Sequence, residues 1–189
     1  MVGQISINPE DPDDPSRWFA LRVKARFEKA VSTALRNKGI EELLPVHRCA
    51  RPWSDRVKLV DVPLFPGYVF CRIDAQYRLP ILTTPGVLHF VGVGNIPVPI
   101  HDEEINAIQS IMKTRLKSER WPFLEAGQKV RVEHGPLLGV EGLLIEVRKH
   151  HRIIVSITLL RRSIAVEVDR DWVMPLEGMR DNTSRFHQQ

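Results

Sequence analysis

The sequence predicts an α+β protein: an antiparallel sheet carrying two long helices on one face, followed by a small all-β unit. Three observations lead there. Apolar residues recur at helical spacing in two stretches, near residues 26–37 and 102–117, with strand-like runs between them. After Pro122 the helical stripe disappears. Short β-branched runs then alternate with glycine and charged turns, as in a small barrel.

Residues 1–16 are polar and rich in proline and aspartate. They hold too little apolar surface to offset chain entropy, which predicts a disordered tail. Order starts at Trp18-Phe19-Ala20-Leu21-Arg22-Val23, a strand. A helix over 26–37 follows, with Phe27, Ala30, Val31, Ala34 and Leu35 on one stripe and Gly39 as its left-handed stop. Residues 43–62 read as extended segments with a turn near Trp53-Ser54-Asp55. Tyr68-Val69-Phe70-Cys71-Arg72-Ile73 reads as a buried strand, with Tyr68 and Phe70 on one face and Val69 and Cys71 on the other. A short helix over 75–83 tolerates Pro80 in its first turn. Val87 to Val91 is another strand, and Gly92, Gly94 and Asn95 then make a turn.

The second long helix, over 102–117, starts with Asp102, Glu103 and Glu104 and ends with Lys113, Arg115 and Lys117, which suits its dipole. Ile105, Ile108, Ile111, Met112 and Leu116 form its stripe. The domain reading is 17–117, a polar link over 118–122, and 123–176, with a flexible tail over 177–189. Strands in the second unit are read at 129–132, 142–147, 152–157 and 164–168.

Composition sets bounds. The chain has 189 residues, 43% hydrophobic and 26% charged, an ordinary globular balance. No run reaches the ~20 apolar residues that span a bilayer, and the acidic, proline-rich N-terminus lacks a signal-peptide pattern. The expected location is the cytoplasm, with no membrane contact. Cys49 and Cys71 have no partner motif and read as packing residues, neither disulfide-bonded nor metal-binding. Residues 17–118 carry 16 basic and 9 acidic side chains, while 119–189 are close to neutral. A basic first unit suits nucleic acid or an acidic partner.

Two motifs carry a resemblance. Residues 127–142 run GQKVRVEHGPLLGVEG: a strand, a tight Gly135-Pro136 turn and a returning strand. This resembles the KOW motif of transcription and translation factors, which implies a five-stranded SH3-like barrel. Leu64-Phe65-Pro66-Gly67-Tyr68-Val69-Phe70, followed by Thr84-Pro85-Gly86-Val87-Leu88-His89-Phe90-Val91-Gly92, resembles the NGN domain of the NusG/RfaH family, a ferredoxin-like sheet with helices. Trp18 to Leu21 matches that domain's first strand and Pro97-Val98-Pro99-Ile100 its last segment. The resemblance covers residues 17–176. The overall likeness leans towards specialised members such as RfaH or the UpxY regulators of polysaccharide operons.

The resemblance implies a transcription elongation factor that binds RNA polymerase and suppresses pausing or termination. In the family the first domain docks on the β′ clamp helices and approaches the β gate loop. The apolar docking positions fall here on Phe65, Tyr68, Phe70 and Val93, with Phe65 expected to be exposed. Tyr77 and Arg78 fall where the gate loop is met. Lys24, flanked by Arg22 and Arg26, lies where RfaH touches upstream or non-template DNA, and Thr84 falls on a DNA-contacting Thr-Arg pair that reads Thr84-Pro85 here. In the barrel, Leu159, Leu160 and Arg162 match the loop that meets Rho or a small-subunit ribosomal protein. One of the two leucines is expected to be exposed. The implied protein is a monomer without cofactors.

An enzyme is not expected, because the chain lacks a phosphate-binding glycine loop, an HExxH motif and a nucleophile elbow. The alternatives are a housekeeping NusG that couples polymerase to Rho or the ribosome, and a ribosome-associated RNA-binding KOW protein. The near-neutral second unit counts against the last.

Overall fold

The computed structural model describes residues 15–176, apart from 54, 55, 115, 117, 122–127, 148 and 149. The tails read at 1–16 and 177–189 lie outside the described residues except for Pro15 and Ser16. Ser16 is buried, so order begins before Trp18.

The first unit runs β1 (Arg17–Val23), α1 (Glu28–Asn37), β2 (Glu41–Leu43), β3 (Val46–Pro52), β4 (Val57–Pro63), β5 (Tyr68–Ile73), a 3-10 turn (Ala75–Tyr77), α2 (Leu79–Leu82), β6 (Val87–Phe90), β7 (Gly92–Val93), β8 (Ile96–Pro97), β9 (Pro99–Ile100) and α3 (Asp102–Lys113). Its main sheet has the order β2-β5-β1-β6, with β9 also pairing β1. All of these pairings are antiparallel.

The helices cover both faces of this sheet, which corrects the one-face expectation. Phe19, Leu21 and Val23 of β1 join Val69, Cys71 and Ile73 of β5 beneath Val31 and Leu35 of α1. The alternate residues Trp18, Ala20 and Phe70 join Ile105, Ile108 and Ile111 of α3. β1 is accordingly buried along nearly its whole length, on both sides of the pleat. Burial also pushes the Cys71 thiol well above its ordinary pKa, because a thiolate there would lose its hydration.

α1 is shorter than its stripe suggested. Phe27 precedes the helix and is exposed, while Glu28 and Ser32 take buried positions beside Val31 and Leu35. Gly39 ends it at φ +73°. α3 stops at Lys113, where Thr114 turns extended and its hydroxyl donates to the Ile111 carbonyl (2.8 Å).

The second unit holds β10 (Ser118–Trp121), β11 (Gln128–Val132), β12 (Glu141–Val147), β13 (His150–Ile157), β14 (Arg162–Val168) and β15 (Val173–Pro175). They form one antiparallel sheet, β10-β14-β13-β12-β11-β15. Ser118 to Trp121, read as a link, is therefore a strand that pairs with β14. β13 opens at His150 and His151, two residues before the strand read at 152–157.

The two units touch. α3 presents its outer side to the second sheet, and Glu104 Oε1 accepts from the backbone N–H (3.1 Å) and the hydroxyl (2.6 Å) of Thr158. Beside this contact lies a cleft of about 750 Å³, lined by Glu103, Ala107 and Ser110 on one side and Leu138, Val140 and Val155 on the other. The apolar cluster under α3 is continuous with that of the second sheet.

Candidate functional site

The segment Leu64 to Phe70 is built around one turn. Gly67 adopts φ +79°, and the Tyr68 N–H donates to the Phe65 carbonyl (3.1 Å). The buried Glu28 carboxylate accepts from the Gly67 N–H (2.8 Å), which ties the turn to the start of α1. A Cβ on Gly67 would come within 2.6 Å of Arg22 Nη1. The Arg22 guanidinium lies over the Tyr68 ring, 4.8 Å from its centroid, a cation–π contact.

This turn folds Phe65 inward. Phe65 and Phe70 are 1% and 0% exposed. Their rings meet edge to face with centroids 5.5 Å apart. The expectation of Phe65 and Phe70 as exposed docking residues is corrected: both are core, and Tyr68 is the half-buried residue of the motif. Glu28 and Gly67 were missed as the residues that hold Tyr68 in place. The available signal was that Glu28 lies at helical spacing from Val31 and Leu35, an acid in line with the buried side of α1.

Exposed apolar residues lie elsewhere. Val93 and Ile96 face each other across β7 and β8, 75% and 73% exposed. Val93 was expected; Ile96 was missed, although it flanks the same Gly94-Asn95 turn. Tyr77 and Arg78 are exposed, as are Leu79 and Leu82 of α2. The Asp74 side chain accepts from the Gln76 N–H (2.9 Å) and starts that segment.

At the exit of β1, Lys24 and Arg26 are exposed. The Lys24 N–H donates to the Gly86 carbonyl (2.8 Å) and Phe27 N–H to the Lys24 carbonyl (3.0 Å), a tight corner in which Arg26 takes φ +67°. Arg22 is half-buried and engaged with Tyr68, so it is not a free cation beside them. Thr84 is buried, which corrects its reading as a DNA contact. Its hydroxyl accepts from Lys38 Nζ (2.7 Å) and donates to the Pro80 carbonyl (3.0 Å).

In the second unit Thr158–Leu160 form a 3-10 turn, and Arg161 follows at φ +48°. The turn buries Leu160, which corrects its reading as a partner contact; Leu159 is half-buried and Arg162 exposed. Among the described residues no group of three or more His, Cys, Asp or Glu could hold a metal ion. No described helix is long and apolar enough to cross a membrane.

The family described as "Transcription termination factor nusG" matches residues 16–109. Curated relatives carry the description "Transcription termination/antitermination protein NusG". That of Buchnera aphidicola is 30% identical over 168 residues, covering 81% of this chain and 92% of the relative. That of Escherichia coli K12 is 29% identical over 168 residues, with the same coverage of 81% and 92%. That of Borreliella burgdorferi is 25% identical over 174 residues, covering 80% and 94%. A solved structure described as "Domain interaction in Thermotoga maritima NusG" superposes with a TM-score of 0.52 at 21% identity, covering 86% of this chain and 98% of that one; this likeness concerns the fold. Similarity of this extent, over both units, means that the chain belongs to the NusG family of transcription termination/antitermination proteins.

Proposed function

We propose that this chain docks on RNA polymerase in the cytoplasm and suppresses pausing or termination, as an operon-associated antitermination factor. The observation that carries the docking half is the apolar pair Val93 and Ile96, left in water on a hairpin of a family member. Covering such a pair removes apolar surface from water, and side chains of this kind mark contact surfaces when they cluster. In this reading Val93, Ile96 and Tyr68 meet the clamp helices, and Tyr77 and Arg78 approach the gate loop. Phe65 and Phe70 act from below, as the packed floor under the strand that presents Tyr68. Lys24 and Arg26 lie towards upstream DNA and touch phosphates, which adds affinity without sequence information.

The second sheet is read as a KOW-type barrel whose Leu159 and Arg162 meet a further partner such as Rho or a ribosomal protein. Binding the elongating conformation of the polymerase better than the paused one shifts the population towards elongation by the difference in affinity.

The test is a native-gel titration of a reconstituted elongation complex, paired with a transcription time course scored for pause lifetime and terminator read-through. The wild type is expected to bind, to shorten pauses and to raise read-through. The V93D/I96D double variant is expected to bind at least about tenfold more weakly, as for loss of a central contact, and to leave pauses as they are without the protein. Binding equal to the wild type would remove this hairpin from the interface. Unchanged read-through with the wild type bound would overturn the antitermination reading.

A further inference from the structure

β1 is flanked by β5 and β6, and the register sets Arg22 between Tyr68 on one side and His89 on the other. Residues directly opposite share a face, so these three side chains form one row across the sheet. The row lies on the face that carries Trp18, Ala20 and Phe70. Its end of that face stays open, with Arg22 and Tyr68 half-buried and His89 exposed.

Arg22 has an aromatic neighbour and no acid. Its guanidinium lies over the Tyr68 ring, 4.8 Å from the centroid, and the ring offers its N–H donors no oxygen. Among the described residues no carboxylate forms an ion pair with it. The Oε1 of Glu28, the acid tied to the same turn, accepts from the Gly67 N–H instead. Arg72 makes the contrast. It lies on the same face of β5 and has Glu41 opposite it on β2, 3.9 Å from Nη1. The fold thus sets an acid opposite one half-buried arginine of this face and not the other. Drawing a guanidinium partly out of water without an anion costs free energy, which a partner's anion would offset.

The fork of a guanidinium held against a ring is preset for a bidentate acceptor, carboxylate or phosphate. The setting favours the carboxylate. Phosphates stay hydrated and suit fully exposed cations, here Lys24 and Arg26. Arg22 instead sits beside a tyrosine that borders the core, and arginine with tyrosine in a partly desolvated setting is the composition of a protein contact centre. We propose that Arg22 sets the specificity of the docking face by taking a carboxylate of the polymerase surface, an Asp or Glu whose neighbours cover Tyr68. This rests on the docking reading above and adds to it a charge requirement that Val93 and Ile96 cannot supply.

The experiment measures binding of the fluorescently labelled full chain to the reconstituted elongation complex and to core polymerase free of nucleic acid. The wild type is expected to bind both, and Arg22→Gln to bind both at least about tenfold more weakly. Arg22→Lys should recover part of the loss, since an ammonium supplies charge without the fork. Wild-type affinity should fall as salt rises, and that of Arg22→Gln less steeply. Each Asp and Glu of the clamp helices is then changed to Ala in turn. One such polymerase variant should cost the wild-type chain about what Arg22→Gln costs, and cost Arg22→Gln nothing further. The same cycle run with Arg22→Lys keeps the test decisive if the Gln variant misfolds. A loss confined to the elongation complex would assign Arg22 to a DNA phosphate and overturn the proposal. So would wild-type binding by Arg22→Gln, or a scan without a coupled carboxylate; weak binding by V93D/I96D in those cases would leave docking standing. A wild-type chain that binds neither form overturns docking and this proposal together.

Discussion

Phe70 is fully buried between β5 and α3 and meets Phe65 edge to face. Its truncation therefore acts on stability before it acts on any surface. Phe70→Ala is expected to cost about 3–5 kcal/mol, read as a lower urea midpoint with an unchanged slope. A wild-type midpoint would mean that the ring is dispensable to the core. Single residues were the least legible part of the sequence. Phe65 precedes its strand, and nothing in the local pattern shows that the next turn folds it under α3. Thr84 reads as a polar loop residue, yet Lys38, far away in sequence, caps its hydroxyl. Both outcomes depend on contacts distant in sequence, which periodicity does not encode. The exposure of Val93 follows from its place between Gly92 and Gly94, at a turn.

At the level of the element, α1 and α3 were legible from their stripes, and the β11–β12 hairpin from Gly135-Pro136. β10 and β15 were not. They are only 4 and 3 residues long, too short for alternation to show, and they gain strand character by pairing with β14 and β11. The covering of the first sheet on both sides was hidden as well, because a strand buried on both faces shows an apolar run and not an alternation. The turn that aims Tyr68 gives an element-level test. Gly67→Ala puts a Cβ against Arg22 Nη1 at φ +79°, whereas Gly39→Ala meets open space at φ +73°. Both variants bear left-handed strain, and only the first must also displace a neighbour. The melting temperature is expected to fall in both, further for Gly67→Ala, which should also weaken polymerase binding. Equal falls would show that Arg22 moves aside freely.

At the scale of the whole molecule the two units differ in charge, the first basic and the second close to neutral. Polyanions should therefore be drawn to the first unit, where Lys24 and Arg26 are exposed. The units nonetheless share a helix. The inner stripe of α3 completes the first core, its outer side faces the second sheet, and Glu104 is held by Thr158. A helix with obligations on two sides has a calorimetric consequence. Neither unit can release it without wetting the flank of the other, so heating should yield one cooperative endotherm, with its van't Hoff and measured enthalpies in agreement. Two resolved endotherms would mean that the modules melt as strangers, and that α3 belongs to the first of them alone.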